Sequence, residues 1–238
     1  MKSNHYTLNM KKTTLFLSSL FLLFGLAFPT FAQQAEESEA YKTQLRVYQN
    51  ALKYSDIAVA KNALYNMMAI APSNVSLLDS LAYLYFDYQQ YASSLLVSRD
   101  ILARNPNNLP ALEISAISYE NLGVYQQALA AYESLYLKLD NPYTLYKIAT
   151  LQFDLGRHTE SKTSIDILLK NTDIDSLNVT LNEPNNQQKQ IPMRAVLLAI
   201  QGLNNVELND KEAAKLNFQE ALKLAPDYTM AKENLEKL

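Results

Sequence analysis

Val75 to Asn108 reads VSLLDSLAYLYFDYQQYASSLLVSRDILARNPNN, and this stretch decides the fold. Leu78, Leu81, Ala82 and Tyr85 recur at three- and four-residue steps, so they share one face of a helix, here called helix A. After a turn at Tyr88-Gln89-Gln90, the residues Tyr91, Ser94, Leu95, Ser98, Ile101 and Leu102 repeat the spacing and define helix B. Proline cannot continue a helix and restricts the residue before it, so Asn105-Pro106 closes the pair and Asn107-Asn108 leads into the next.

The pattern returns 34 residues on: Pro72 with Pro106, Leu78 with Leu112, Tyr85 with Tyr119, Tyr91 with Tyr125. A period of this length marks one supersecondary unit copied and stacked, each copy burying its apolar face against its neighbours. The third unit carries Leu112, Ala116, Tyr119, Gly123, Tyr125, Ala128, Tyr132 and Leu135. The fourth, shifted by one, carries Leu145, Ile148, Ala149, Gln152, Gly156, Ser161, Ile165 and Leu168, with Gly123 and Gly156 in the same turn. The first unit keeps the spacing in Val47, Ala51, Ile57, Ala60, Leu64 and Met67, but Tyr48 replaces its small residue. A fifth is plain in Ala214, Phe218, Ala221, Leu222 and Pro226, while Gln201-Gly202 takes the place of a Leu and small pair in its first helix.

The order Leu, small residue, Tyr, Gly, Tyr, Ala, aromatic resembles the tetratricopeptide repeat. The expected fold is all-α: a right-handed α-solenoid of about five tetratricopeptide-like helix pairs, with a C-terminal capping helix and an inserted loop or small hairpin before the last pair. The repeats fall at about 41–74, 75–108, 109–141, 142–173 and 194–227, after a flexible segment at 33–40, with an insertion at 174–193 and a capping helix at 228–238. The insertion alternates at period two in Leu177-Asn178-Val179-Thr180-Leu181 and Lys189-Gln190-Ile191 around Pro184-Asn185-Asn186, a strand-turn-strand signal that a plain linker could also carry.

The start of the chain reads differently. Lys11 and Lys12 precede an apolar run from Leu15 to Phe28, and Thr30 and Ala32 flank Phe31, the signature of a signal peptide cleaved near Ala32. At 14 residues the run is shorter than the roughly 18 to 20 that an anchoring membrane helix needs. Residues 1–32 hold three lysines and no acids, so the remainder has 18 basic and 24 acidic residues, a net charge of −6. A nucleic-acid partner, which needs clustered basic charge, is excluded as an expectation, as is stable membrane insertion after cleavage. Cysteine is absent, which removes disulfides and thiolate metal sites and suits export into a bacterial envelope, periplasmic or secreted.

In this family the partner usually lies in a concave groove lined by the A helices. The resemblance places Asp79, Tyr83, Phe86, Asp87, Glu113, Ile117, Glu120, Asn121, Tyr143, Tyr146, Thr150, Phe153 and Asp154 there. The mix of aromatics and acids suits a basic or amphipathic protein or peptide segment; aromatics at this spacing are equally those of inter-repeat core. The carboxylate clamp of one branch of the family is missing, since Leu45, Gln49, Asp79, Ser80 and Tyr83 hold its places.

Catalysis has little support. After residue 32 the only histidine is His158, read as a solvated loop residue, and no nucleophile elbow, phosphate loop or His-Glu-x-x-His helix is present. Asp173-Ile174-Asp175 gives at most a weak cation signal. The expectation is a non-catalytic interaction scaffold with no cofactor and no metal; the alternative is a surface or periplasmic component that binds glycan or another ligand.

Overall fold

A computed structural model describes residues 38–182 and 188–238. The expected signal peptide and the centre of the hairpin turn, Pro184 to Gln187, lie outside the described residues. Among the described residues eleven α-helices follow one another: α1 (Glu39–Lys53), α2 (Ile57–Ile70), α3 (Ser76–Asp87), α4 (Tyr91–Arg104), α5 (Leu109–Asn121), α6 (Tyr125–Leu139), α7 (Pro142–Asp154), α8 (His158–Lys170), α9 (Met193–Glu207), α10 (Lys211–Leu224) and α11 (Thr229–Glu236). A 3₁₀ turn (Thr172–Ser176) and two strands, β1 (Asn178–Asn182) and β2 (Gln188–Pro192), stand between α8 and α9. The chain is an all-α solenoid of consecutive helix pairs, and of the two forms open for the insertion it takes the hairpin.

One turn is used five times. The N–H of Asp56, Gln90, Val124, Arg157 and Asp210 donates to the carbonyl five residues earlier, at Ala51, Tyr85, Tyr119, Gln152 and Asn205, over 2.8–2.9 Å. The residue before each donor has positive φ: Ser55, Gln89, Gly123, Gly156 and Asn209. This is the Schellman closure, which satisfies the last carbonyls of an A helix before the chain reverses. Entry to the helices is equally local. Asn108 and Asn141 accept the N–H groups of Ala111 and Tyr143 at 2.9 and 2.8 Å, and Asp56 and Asp210 do the same for α2 and α10. At the start of the chain Ser38 Oγ accepts from Tyr41 N at 3.1 Å, so α1 begins at Glu39, inside the segment expected to be flexible.

The chain divides into two compact units, with the boundary between Leu135 and Tyr136. In the first, Leu64, Met67, Leu77, Leu81 and Leu84 form one cluster, and Leu78, Ala82, Ile101, Ala111 and Ile114 another. Ser94, where the first, third and fifth pairs have alanine, is buried and donates to the Ala82 carbonyl at 2.9 Å. In the second unit Ser161 makes the same bond to Ala149, at 2.8 Å. A hydroxyl is tolerated at this close helix contact because a main-chain acceptor lies 12 residues back.

Gly202 turns out to be the small residue of the fifth pair. A Cβ on it would lie 2.6 Å from Phe218 Cε1, and that ring is fully buried. The hairpin turns Val179 and Ile191 inward, each 1% exposed, and its base is closed by Met193 N–H donating to the Leu177 carbonyl at 2.8 Å. Lys189 reaches across to Asp227 in the α10–α11 turn.

Candidate functional site

Asp79, Tyr83, Phe86 and Asp87 fall at steps of four, three and one on α3, and Glu113, Ile117, Glu120 and Asn121 repeat them on α5. Helical geometry therefore sets each quartet on one face. Tyr83 is 41% exposed. Its phenol is held above the ordinary range by burial first, then by the charges of Glu113, Asp79 and Asp87. The same effect links α1: Tyr48 is raised by burial and by Asp87. Three carboxylates of α3 and α5 thus act on Tyr83, and one of them, Asp87, acts also on Tyr48 of α1.

The carboxylates differ among themselves. Burial pushes Glu113 up. It also raises Asp79, against the opposing hydrogen bond that Asn108 Nδ2 donates to Asp79 Oδ1 at 3.2 Å. Asp87 is exposed. Glu120 serves the scaffold instead, accepting a 2.7 Å bond from the hydroxyl of buried Tyr132 on α6. Phe86 is half-buried edge-on to Tyr91, centroids 6.0 Å apart. Asn121 donates to the Ile117 carbonyl at 2.8 Å, one turn back.

The second unit treats its candidates differently. Tyr146, expected to line the groove, is fully buried, and this corrects the expectation. The reason is position: by the register of the A-to-B turns Tyr146 stands where α3 has Asp79 and α5 has Glu113, and every residue from Thr144 to Ala149 is buried. Tyr143 stacks at a tilt on Tyr146, centroids 5.7 Å apart, and stays half-buried. Thr150 turns its hydroxyl onto the Tyr146 carbonyl at 2.8 Å. Phe153 is half-buried against the His158 ring at 5.3 Å, and Asp154 is exposed.

His158 is not a solvated loop residue. It opens α8, with Nδ1 3.1 Å from Asn204 Oδ1. Asn204 donates to Ser161 Oγ at 2.9 Å, Lys162 donates to Asn205, and Asn205 donates to Asn217 at 2.7 Å. Spacing did not single out this network, although adjacent asparagines in an apolar helix were its signal. Asp175 is likewise occupied, by Arg194 at 2.5 Å, while Arg194 also donates to the Leu169 carbonyl at 2.9 Å. Among the described residues no three His, Cys, Asp or Glu side chains are grouped to hold a metal ion, and no helix is long and apolar enough to cross a membrane. Two shallow clefts of about 50 and 210 Å³, beside Tyr136 and Ile167 and beside Arg157 and Leu208, lie in the second unit.

No protein-family model matches the chain, and no curated protein matches it in sequence. Solved structures do match in fold. YrrB, described as a TPR protein with an unusual peptide-binding site, aligns at TM-score 0.65 and 12% identity over 87% of this chain and 98% of its own. MamA aligns at 0.60 and 14%, covering 84% and 95%. A MamA fragment from Desulfovibrio magneticus RS-1 gives 0.59 and 13%, covering 81% and 98%. The fold is that of the tetratricopeptide-repeat proteins.

Proposed function

We propose that the chain is a non-catalytic interaction scaffold of the bacterial envelope, and that the A-helix face of its first unit takes a basic protein or peptide segment. One observation carries this reading: Tyr83, exposed, stands in the joint field of Asp79, Asp87 and Glu113. A lysine or arginine seated there gains both the carboxylates and the ring face. The peptide-binding description of YrrB supports the class of partner. The location rests on the sequence of residues 1–32 alone.

Titration calorimetry with lysine- and arginine-rich peptides against acidic ones tests the face. Basic peptides should bind more tightly, and Asp79→Asn with Asp87→Asn should weaken them about tenfold, as expected for a pair of partly exposed charges. Burial raises Asp79 and Glu113, so they take up protons at higher pH than ordinary carboxylates. Affinity should be full above that range and fall as pH drops through it. Unchanged affinity in the folded double variant would sink the face. The mass of the protein recovered from envelope fractions tests export; an intact residue 1 would contradict cleavage near Ala32.

A further inference from the structure

The hairpin between α8 and α9 has two edges, and they are not alike. Asn178 lies opposite Pro192, Val179 opposite Ile191, Thr180 opposite Gln190, Leu181 opposite Lys189 and Asn182 opposite Gln188. The Met193 N–H to Leu177 carbonyl bond makes Asn178 and Pro192 a pair without mutual hydrogen bonds. Antiparallel alternation then commits the main chain of Val179 and Leu181 to β2, and turns the N–H and C=O groups of Asn178, Thr180 and Asn182 outward. The sheet has two strands, so among the described residues no third strand receives them.

Exposed strand edges attract other strands unless charge, proline or a bulge prevents it. β2 carries Pro192 and Lys189, the latter paired with Asp227. β1 carries none of these; it reads Asn-Val-Thr-Leu-Asn. That pattern is symmetric about Thr180. Laid antiparallel on itself, it sets Val179 against Leu181 on the inner face, and Asn178 against Asn182 and threonine against threonine on the outer face. The seam has no charge, so a chain of net charge −6 after residue 32 can bring two copies together there without local repulsion. A foreign strand would have to supply this order; a second copy already has it.

We infer that β1 is a self-association edge: two copies pair antiparallel through Asn178 to Asn182, with Thr180 opposite Thr180 on a two-fold axis, giving a continuous four-stranded sheet. The seam can hold about six main-chain hydrogen bonds. It is small beside the roughly 1,200 Å² of a stable interface, so the dimer is weak, with Kd on the order of 100 µM.

Sedimentation equilibrium of the purified chain should show concentration-dependent dimerisation, with site-resolved hydrogen exchange run in parallel. The Thr180 amide should exchange fast in dilute solution and at least fivefold slower when the dimer is populated; the Val179 and Leu181 amides should be protected at both concentrations. Thr180→Pro removes an outward N–H and none of the hairpin's own bonds, so it should abolish dimerisation while the Val179 and Leu181 protection persists. Thr180→Lys should weaken pairing at least tenfold, and mixing it with Thr180→Glu should restore association in the mixture alone. A monomer at 1 mM, a dimer indifferent to Thr180→Pro, failed restoration in the mixture, or slowed Thr180 exchange only when an unrelated extended peptide is added would each overturn the proposal.

Discussion

Tyr83 on α3 and Tyr146 on α7 both lie on A helices, of the second and fourth repeats, yet Tyr83 is 41% exposed and Tyr146 is 0% exposed. The repeat spacing fixes which residues share a face; the place on the helix decides which of them meet solvent. Both α3 and α7 pack against more than one other helix of their units; Tyr146 stands in register with Asp79 and Glu113, one turn before Tyr83's place. The two units also differ in how they bury polar groups. The second closes Asn204, Ser161 and His158 into one network. The first bonds Ser94 to the Ala82 carbonyl, and leaves the buried hydroxyls of Ser98, Ser115 and Ser118 without a hydrogen-bond partner among the described residues.

The sharpest test of the comparison is a pair of truncations. Tyr146→Ala should cost about 3–5 kcal/mol of stability, the usual loss when a buried aromatic leaves a cavity. Tyr83→Ala should cost less than about 1 kcal/mol, because part of its ring is already in water, while weakening basic-peptide binding. Denaturant unfolding measures both. Equal losses would mean that the two faces are not distinct, and a binding experiment that combines both changes would then report unfolding rather than contact loss.

Polar burial gives a smaller contrast of opposite sign. Asn204→Ala strips partners from His158 and Ser161 and should destabilise by about 1–3 kcal/mol. Ser115→Ala removes a hydroxyl whose hydration was lost without replacement, and should be neutral or stabilising by up to about 1 kcal/mol. A large loss at Ser115 would show that its hydroxyl is satisfied in solution, and the two units would then bury polar groups alike.

The fold was legible because its determinants are local. Leu78, Ala82 and Tyr85 announce α3 through spacing alone, while the alternation of Val179, Leu181, Lys189 and Ile191 left a hairpin and a linker both open. That Asp79 and Glu113 stand at matching places on α3 and α5 follows from the same spacing, since they recur one period apart. Tyr146 was not legible: its place on the A helix is that of Asp79 and Glu113, one turn before Tyr83's, and a tyrosine there is fully buried. His158 failed for a different reason: its partner Asn204 is 46 residues away. Even Gly202 looked like a departure until the Phe218 ring was seen to fill the space beside it.

What the units hold in common is the A-to-B turn, and it sets the baseline for every difference between them. Gln89 in the first unit and Asn209 in the second take φ of 57° and 61° where the third and fourth pairs have glycine. A left-handed conformation costs an ordinary residue roughly 1–2 kcal/mol, partly offset by the greater freedom glycine loses on folding. Gln89→Gly should therefore stabilise by about 0.5–1 kcal/mol, and Asn209→Gly by somewhat less, since asparagine tolerates this region better. The reverse change, Gly123→Ala, should cost about 1 kcal/mol for conformation alone, because a Cβ there meets nothing within 4 Å. Unfolding midpoints at constant m-value decide the matter. If Asn209→Gly gains much more than Gln89→Gly, the turn's energy is set by its surroundings and not by φ, and the division between shared backbone and unit-specific neighbours would have to be redrawn.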